Sequence, residues 1–313
     1  GLIGTSIYAV TTIPYDEMIA RWREGEETWT YNPQDAPPAW INLFRKYTLP
    51  DTIVLDSREP KARADNAPMK EREAVSEDMT RITLTFPFEY AYEAFPQDLG
   101  VFLDAKYEEK RPLITLNWLT PDGREIEVMS TSIGAPSYVY RISQDAKLRR
   151  KLDGQSQWDL LLTEPGASSS MPLNGPYKLQ LSAYVFEDSA DVDAKFVLYG
   201  QVFGLAGTDE RRRDLTVPLL WGMPVALAFG FLAAAGTSVS SVLIAGIGTW
   251  YDGWIDTLVQ RVTEVNMILP FLPVSIMVYK LYSKSFWMIL GVTVLLGIFG
   301  SSIKRYRAIF LQV

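Results

Sequence analysis

Between Asp214 and Asp252 the chain runs for 37 residues, Leu215 to Tyr251, without one charged side chain. As α-helix that run is about 55 Å long at ~1.5 Å per residue, against a hydrocarbon core of about 30 Å. It fits a bilayer as one long or tilted span. The run is rich in Gly, Ala and Ser, small residues that let transmembrane helices approach closely, so a packed bundle is expected rather than a lone anchor.

The charges divide the chain in the same way. From Thr216 to Val313 there are three acids (Asp252, Asp256, Glu264) and six bases (Arg261, Lys280, Lys284, Lys304, Arg305, Arg307), a net of +3. Taken from the 37 acids and 30 bases of the whole, these leave 34 acids against 24 bases, or −10, in residues 1 to 215. An acidic water-soluble part thus precedes an apolar one, and acidity argues against nucleic acid as a partner. With no Cys and no His, a disulfide framework, a thiol nucleophile, a Ser-His-Asp hydrolase and an imidazole or thiolate zinc site are excluded. No catalytic, cofactor-binding or metal-ligating residue is assigned.

Two further spans are expected. Val265 to Tyr279 is uncharged and becomes a span if its helix starts near Ile255, with Arg261 and Glu264 at the interfacial end. Ser285 to Ile303 is uncharged throughout. Expected helices therefore cover about 216–250, 255–280 and 285–304, with 304–313 as a cytoplasmic end. Gly1 to Ile13 is apolar but reaches only about 20 Å as helix, so residues 1–14 are expected to be the end of a first span.

Residues 15–206 alternate apolar and polar side chains in several stretches, the period of half-buried strands. Thr80–Phe88 alternates, and Pro112–Leu119 and Glu125–Ser130 flank Pro121-Asp122-Gly123, the signal of a hairpin turn. Further strands are expected near Tyr138–Ile142, Tyr177–Phe186 and Lys195–Phe203, a helix over Asp145–Leu162 interrupted at Gly154, and a solvated loop over Asp56–Asp78. A β-sandwich or β-rich α+β domain follows. Phe86, Phe88, Tyr90 and Tyr92 share one strand face, for which core packing is preferred to a sugar- or peptide-binding platform. Glu89 and Glu93 fall on the opposite face as solvated acids.

The stretch Gly207-Thr208-Asp209-Glu210-Arg211-Arg212-Arg213-Asp214-Leu215, followed by Leu219-Leu220-Trp221-Gly222, resembles the GTDxxGRD...LLYG signature of the C-type permease subunit of dipeptide, oligopeptide and nickel ABC importers. Asn32-Pro33 and Pro37-Pro38-Ala39-Trp40 match the NP...PPAW segment after that family's first transmembrane helix. Gly246, Tyr251, Gly253, Trp254, Asp256, Arg261, Glu264 and Pro270 are similar to its GYFGGWxD...R..D...LP run. Three positions depart from the pattern: Arg212 and Asp252 stand where the family has glycine, and Pro224 where it has Arg.

The resemblance covers about residues 1–40 and 203–313 and implies a membrane all-α helical bundle of the type I importer permease kind, incomplete in this chain, with the β-rich domain inserted in an extracytoplasmic loop. It implies a multi-pass plasma-membrane protein with residues 15–214 outside. Counting bases does not set that orientation, since Arg261, Lys304, Arg305 and Arg307 on one side face Arg211, Arg212, Arg213, Lys280 and Lys284 on the other. The implied partners are a second permease, two ATP-binding subunits, an extracytoplasmic solute-binding protein and membrane lipid. Most of the first helix, the loop that docks on the ATPase and the last helices are expected to lie outside this chain.

From physical chemistry alone, Thr208 and Asp209 are expected to cap the long helix, with Arg213 and Asp214 pairing at the membrane edge. Trp250, Tyr251 and Trp254 suit an interfacial aromatic belt, and Asp256 an N-cap. Arg261 and Glu264 are spaced to neutralise each other, with Glu264 facing the pathway as a second reading. Pro270 and Pro273 mark a bend. The competing reading is a membrane-anchored binding, sensor or adhesion protein. A carboxylate hydrolase has no paired-acid motif behind it.

Overall fold

Alternating burial along the strands builds the first half of the protein. In the computed structural model, which describes all residues except 13, 24–25, 60–66, 152–155, 166–170, 283–284 and 313, nine strands form two antiparallel sheets. The five-stranded sheet has the order β2-β3-β8-β5-β6, from β2 (Met69–Ser76), β3 (Met79–Tyr90), β8 (Gly175–Val185), β5 (Leu113–Leu119) and β6 (Glu125–Ser132). The four-stranded sheet has the order β1-β9-β4-β7, from β1 (Ile53–Asp56), β9 (Asp191–Tyr199), β4 (Asp98–Lys106) and β7 (Ser137–Arg141). Inward side chains of both sheets share one core, including Leu84, Phe86, Leu116, Leu181, Val101 and Phe196. That is the sandwich solution to two half-apolar sheets.

Phe86, Phe88 and Tyr90 are core, at 0%, 4% and 0% exposure, which rules out a binding platform on that face. Phe88 stacks on Tyr177 at 5.6 Å between centroids and lies 5.5 Å from Trp118. The indole N–H of Trp118 donates to the Leu161 carbonyl at 2.9 Å, so the largest buried side chain leaves no orphan donor. The turn at Pro121-Asp122-Gly123 joins β5 to β6, with Gly123 at φ +86°.

Sequence expectation and structure part at several places. The expected loop over 56–78 contains β2, whose eight residues are all exposed; as the edge of its sheet with neither face covered, it carries no apolar period to betray it. Its residues 60–66 lie outside the described ones. The single helix expected over 145–162 is two, α4 (Ala146–Lys151) and α5 (Gln157–Leu161), the second starting at a capping box of Ser156 and Asp159. Gly154 is outside the described residues. The strand expected at 195–203 is β9, which starts at Asp191 and ends at Tyr199.

Short helices α1 (Leu2–Thr12), α2 (Tyr15–Arg23) and α3 (Glu26–Trp29) precede the sandwich. The long uncharged run is one helix, α6 (Thr216–Tyr251), with Pro224 inside it. It is long and apolar enough to cross a membrane, and side chains such as Phe231, at 73% exposure, are uncovered by the rest of the chain. The two other expected spans are each broken. One is α7 (Gly253–Ile268) and α8 (Phe271–Leu281); the other is α9 (Phe286–Ile298) and the start of α10 (Ser301–Phe310), which runs on through the residues expected as a cytoplasmic end, and both pairs are bent by more than 40°. The first break falls at Pro270, which cannot continue the ladder; Pro273 sits in the first turn of α8, where an amide has no intrahelical partner to lose. The second falls at Phe299-Gly300. Counting each bent pair as one, up to three stretches among the described residues are long and apolar enough to cross a membrane.

The chain separates into two units, Asp16–Leu219 and Gly1–Tyr15 with Leu220–Val313.

Candidate functional site

In the first unit, residues 203–216 fold back on residues 32–42 as a clasp. Phe203 N–H donates to Pro37 O at 2.9 Å, Ala39 N–H to Gly204 O at 2.9 Å, and Thr208 N–H to Ala36 O at 2.8 Å. The buried Thr208 hydroxyl accepts from Ala36 N–H at 3.0 Å and donates to Pro33 O at 2.8 Å. The segments that carry the NP...PPAW and GTD-type motifs are thus one hydrogen-bonded structure. Gly207 makes the close approach possible: it sits at φ +79°, and a Cβ there would overlap the Ala36 carbonyl.

Asp209 and Arg213 close the turn. The Asp209 carboxylate accepts from the backbone N–H groups of Arg211 and Arg213, each at 2.9 Å, and pairs with the Arg213 guanidinium at 2.6 Å. Burial pushes this carboxyl up, but Arg213 and the two amides outweigh it and hold it below the usual carboxylate value. Arg213 also lies 3.9 Å above the Trp22 ring. The expected helix cap needs correction. Thr208 and Asp209 satisfy the clasp, while Asp214 accepts from Thr216 N–H at 2.8 Å where α6 begins, and Arg213 pairs with Asp209 rather than with Asp214. The chain reverses between Thr208 and Asp214, which bridge each other, so Thr208 and Asp209 face residues 33–36 and the turn itself, and Asp214 is left to meet the first amides of α6.

Arg212 occupies the left-handed region at φ +64°, the conformation a glycine takes freely. Its guanidinium donates to Asn32 O at 2.7 Å and stacks on the Tyr199 ring at 4.6 Å; Arg141 lies 5.2 Å from the same ring. Burial and the neighbouring Arg141 charge lower the Arg212 pKa. Asp252, the other position at which the resemblance leads one to expect glycine, is likewise at φ +48°, and Gly253 follows at +59°. Both departures keep a glycine's backbone conformation without a glycine.

In the second unit the polar side chains meet between helices. Asp256, only 9% exposed, accepts both arms of Arg307: Nε to Oδ1 and Nη2 to Oδ2, each at 2.7 Å. Gln260 adds a bond at 2.6 Å. Asp256 is therefore not the expected N-cap: α7 starts at Gly253, and Asp256 sits in its first turn with the side chain turned to α10. Arg261 pairs with Glu264 at 3.0 Å and Lys304 approaches Glu264 at 3.9 Å. Trp250, Tyr251 and Trp254 are open, at 85%, 66% and 75% exposure. Asn266 Nδ2 donates to Leu296 O at 2.7 Å and Phe299 O at 3.1 Å, across the α9–α10 break, and Ser241 Oγ donates to Ile298 O at 2.8 Å. These are the carbonyls a broken helix leaves without partners.

Sequence reasoning missed Arg307 as the partner of Asp256, and Asn266 and Ser241 altogether. The signal for Arg307 was present, because Arg261 is spaced to pair with Glu264 and leaves Asp256 without an opposite charge in its own helix. Among the described residues no group of three or more acids, His or Cys is placed to hold a metal ion.

No protein-family model matches the chain. Over 106 residues, 34% of its length, it is 32% identical to the inner membrane ABC transporter permease protein YejE of Escherichia coli and covers 31% of that protein. Over 106 residues it is 27% identical to the peptidoglycan transport system permease protein YejE of Agrobacterium fabrum, covering 28% of it. Over 79 residues it is 27% identical to the dipeptide transport system permease protein DppC of Alkalihalophilus pseudofirmus, covering 26% of it. Over about a third of its length, the chain is similar to ABC transporter permeases. It spans less than a third of the length of these relatives. Among solved structures, TmCBM61 in complex with β-1,4-galactotriose covers 55% of this chain and 98% of its own at a TM-score of 0.23 and 11% identity. Carbohydrate-binding modules of the β-sandwich superfamily cover 54% of this chain and 62% of theirs at 0.23 and 8% identity.

Proposed function

We propose that the chain is part of a permease subunit of an ATP-driven ABC importer, of the C-type, carrying peptides or chemically similar solutes. It lines the translocation pathway with a second permease; two ATP-binding subunits supply the energy, and an extracytoplasmic binding protein delivers solute. The subunit performs no bond chemistry. The similarity to three ABC permeases carries this reading, and the clasp supports it, because the motif segments that resemble the C-type family meet in one hydrogen-bonded turn. Peptidoglycan and dipeptide, the solutes in two relatives' names, both contain peptide linkages, which supports the substrate class.

In this reading residues 15–214 are extracytoplasmic and the inserted sandwich docks the binding protein or caps the pathway. The broken helices α7/α8 and α9/α10 are the elements that move in alternating access, and Asp256–Arg307 ties α7 to α10. Mild-detergent purification of the protein from its native membrane, with mass spectrometry of what stays bound, tests the proposal. Co-purifying ATPase subunits and a second permease are expected; recovery without them overturns it.

A second reading, a membrane-anchored binding or sensor protein, is favoured by one observation. A groove of about 500 Å³ runs between β6 and β7, the edge strands of the two sheets, lined by Glu127, Met129, Tyr138, Tyr140, Arg141 and Lys147. Recovery of the chain with signalling proteins in the same purification would favour it.

A further inference from the structure

The 3-10 turn Ala39–Phe44 presents large apolar side chains to the outside. Trp40 is 51% exposed, Leu43 82% and Phe44 80%, and Leu205 beside them is 75% exposed. These residues form one patch. The Trp40 indole N–H donates to Leu205 O at 2.9 Å, and its ring meets Phe44 edge-on at 6.2 Å. Arg45 and Lys46 follow directly, and among the described residues neither forms an ion pair. The arrangement combines an amphipathic indole with its polar tip bonded, two bare aliphatic and aromatic anchors, and two adjacent cations.

We infer that this patch lies in the membrane–water interface, with Leu43 and Phe44 in the acyl boundary, Trp40 at headgroup level, and Arg45 and Lys46 against anionic lipid phosphates. Two observations commit it to lipid. The first is continuity with the membrane helix: the patch is bonded to Gly204 and Leu205, Gly207 O accepts from Leu215 N–H at 3.0 Å, and α6 begins at Thr216. Ten residues of chain, tied by the Leu215–Gly207 hydrogen bond, separate Leu205 from Thr216, the first residue of a helix long enough to cross a bilayer. The second is chemistry: the rest of residues 1 to 215 is acidic, yet the two side chains flanking these anchors are basic, the sign that anionic headgroups attract. Exposed apolar patches rimmed by bases suit the headgroup boundary. The inference needs only that α6 crosses a membrane, and holds for the transporter and sensor readings alike.

The absence of native Cys makes the test direct. Single-cysteine variants Leu43→Cys, Phe44→Cys, Val139→Cys on β7 and Phe231→Cys in α6 are spin-labelled in the full chain, reconstituted in phosphatidylcholine bilayers with and without phosphatidylglycerol. Collision with oxygen, which concentrates in lipid, is compared with collision with a water-soluble nickel chelate. Positions 43 and 44 are expected to show an oxygen-to-nickel ratio several-fold above that at 139, rising when phosphatidylglycerol is present and losing that rise in Arg45→Gln/Lys46→Gln. Position 231 reports separately whether α6 is in the bilayer. With 231 lipid-exposed, nickel accessibility at 43 and 44 equal to that at 139 overturns the inference. So does protection of both positions from oxygen and nickel alike, the signature of a protein partner on the patch.

Discussion

Asp256 of α7 and Arg307 of α10, 51 residues apart, are joined by two parallel bonds of 2.7 Å, with Gln260 holding the same carboxylate from one turn along. A carboxylate this buried is sustained only by such a partner, and the pair fixes how the two helices meet. Removing either member leaves the other uncompensated. Asp256→Asn and Arg307→Gln should each lower the thermal midpoint in detergent, and the double variant should lose less than the sum. A double-mutant cycle is expected to give a coupling of roughly 1–3 kcal/mol. Additive losses would show that the bonds contribute nothing to the packing of α7 on α10.

Arg212 gives a test of backbone strain apart from side-chain contact. Arg212→Ala and Arg212→Gly both lose the stack on Tyr199 and the bond to Asn32 O, but only alanine still pays for φ +64°. Alanine should be the less stable by about 1 kcal/mol, read as the difference between the two thermal midpoints. Equal midpoints would mean that the turn relaxes once the guanidinium is gone.

Gly207→Ala should open the clasp. Its φ of +79° and the Ala36 carbonyl in the path of a Cβ leave no accommodation without moving residues 36–38. A loss of about 2–4 kcal/mol is expected, with faster proteolysis within residues 32–42 than in the parent. Gly123→Ala, at a turn of similar φ but with nothing near its Cβ, should cost only the backbone term, about 1 kcal/mol.

The clasp and the sandwich should both weaken in acid. Asp209 is held low by Arg213 and two amides against the pull of burial. Asp193 is likewise held low, Lys70, Arg58 and Ser57 outweighing burial. A carboxyl lowered by folding contributes stability that is fully present above its unfolded value of roughly 4 and is lost as pH falls through its folded one. Thermal midpoints should therefore be flat near neutrality and fall below about pH 4. Asp209→Asn should flatten part of that fall, whereas an unchanged acid limb would show that the Arg213 pair does not hold the clasp.

Trp118 closes the centre of the sandwich. Trp118→Ala removes a fully buried side chain and leaves the Leu161 carbonyl without its donor, so a loss of about 3–5 kcal/mol is expected in denaturant unfolding followed by near-ultraviolet circular dichroism.

What the sequence determined by itself is what rests on local period and on charge. The uncharged run from Leu215 to Tyr251 could only be an apolar helix, and α6 has those bounds within a residue. Alternation marked β3, β5 and β8, because one face of each strand is core and the other is not. Arg261 and Glu264 meet because three residues along a helix bring side chains together. Tertiary structure decided the rest. Strand β2 has no buried face to give it a period, and becomes a strand only because β3 supplies its hydrogen bonds. The breaks at Pro270 and Phe299-Gly300 turn two apparently continuous apolar runs into bent pairs, with Asn266 and Ser241 reaching across the second to bond its carbonyls. Asp256 found Arg307, 51 residues on, where local spacing suggested a cap, because a charge leaving water is stabilised by the opposite charge the fold brings within 3 Å. The clasp joins residues about 170 apart, a separation that no pattern within either segment could register.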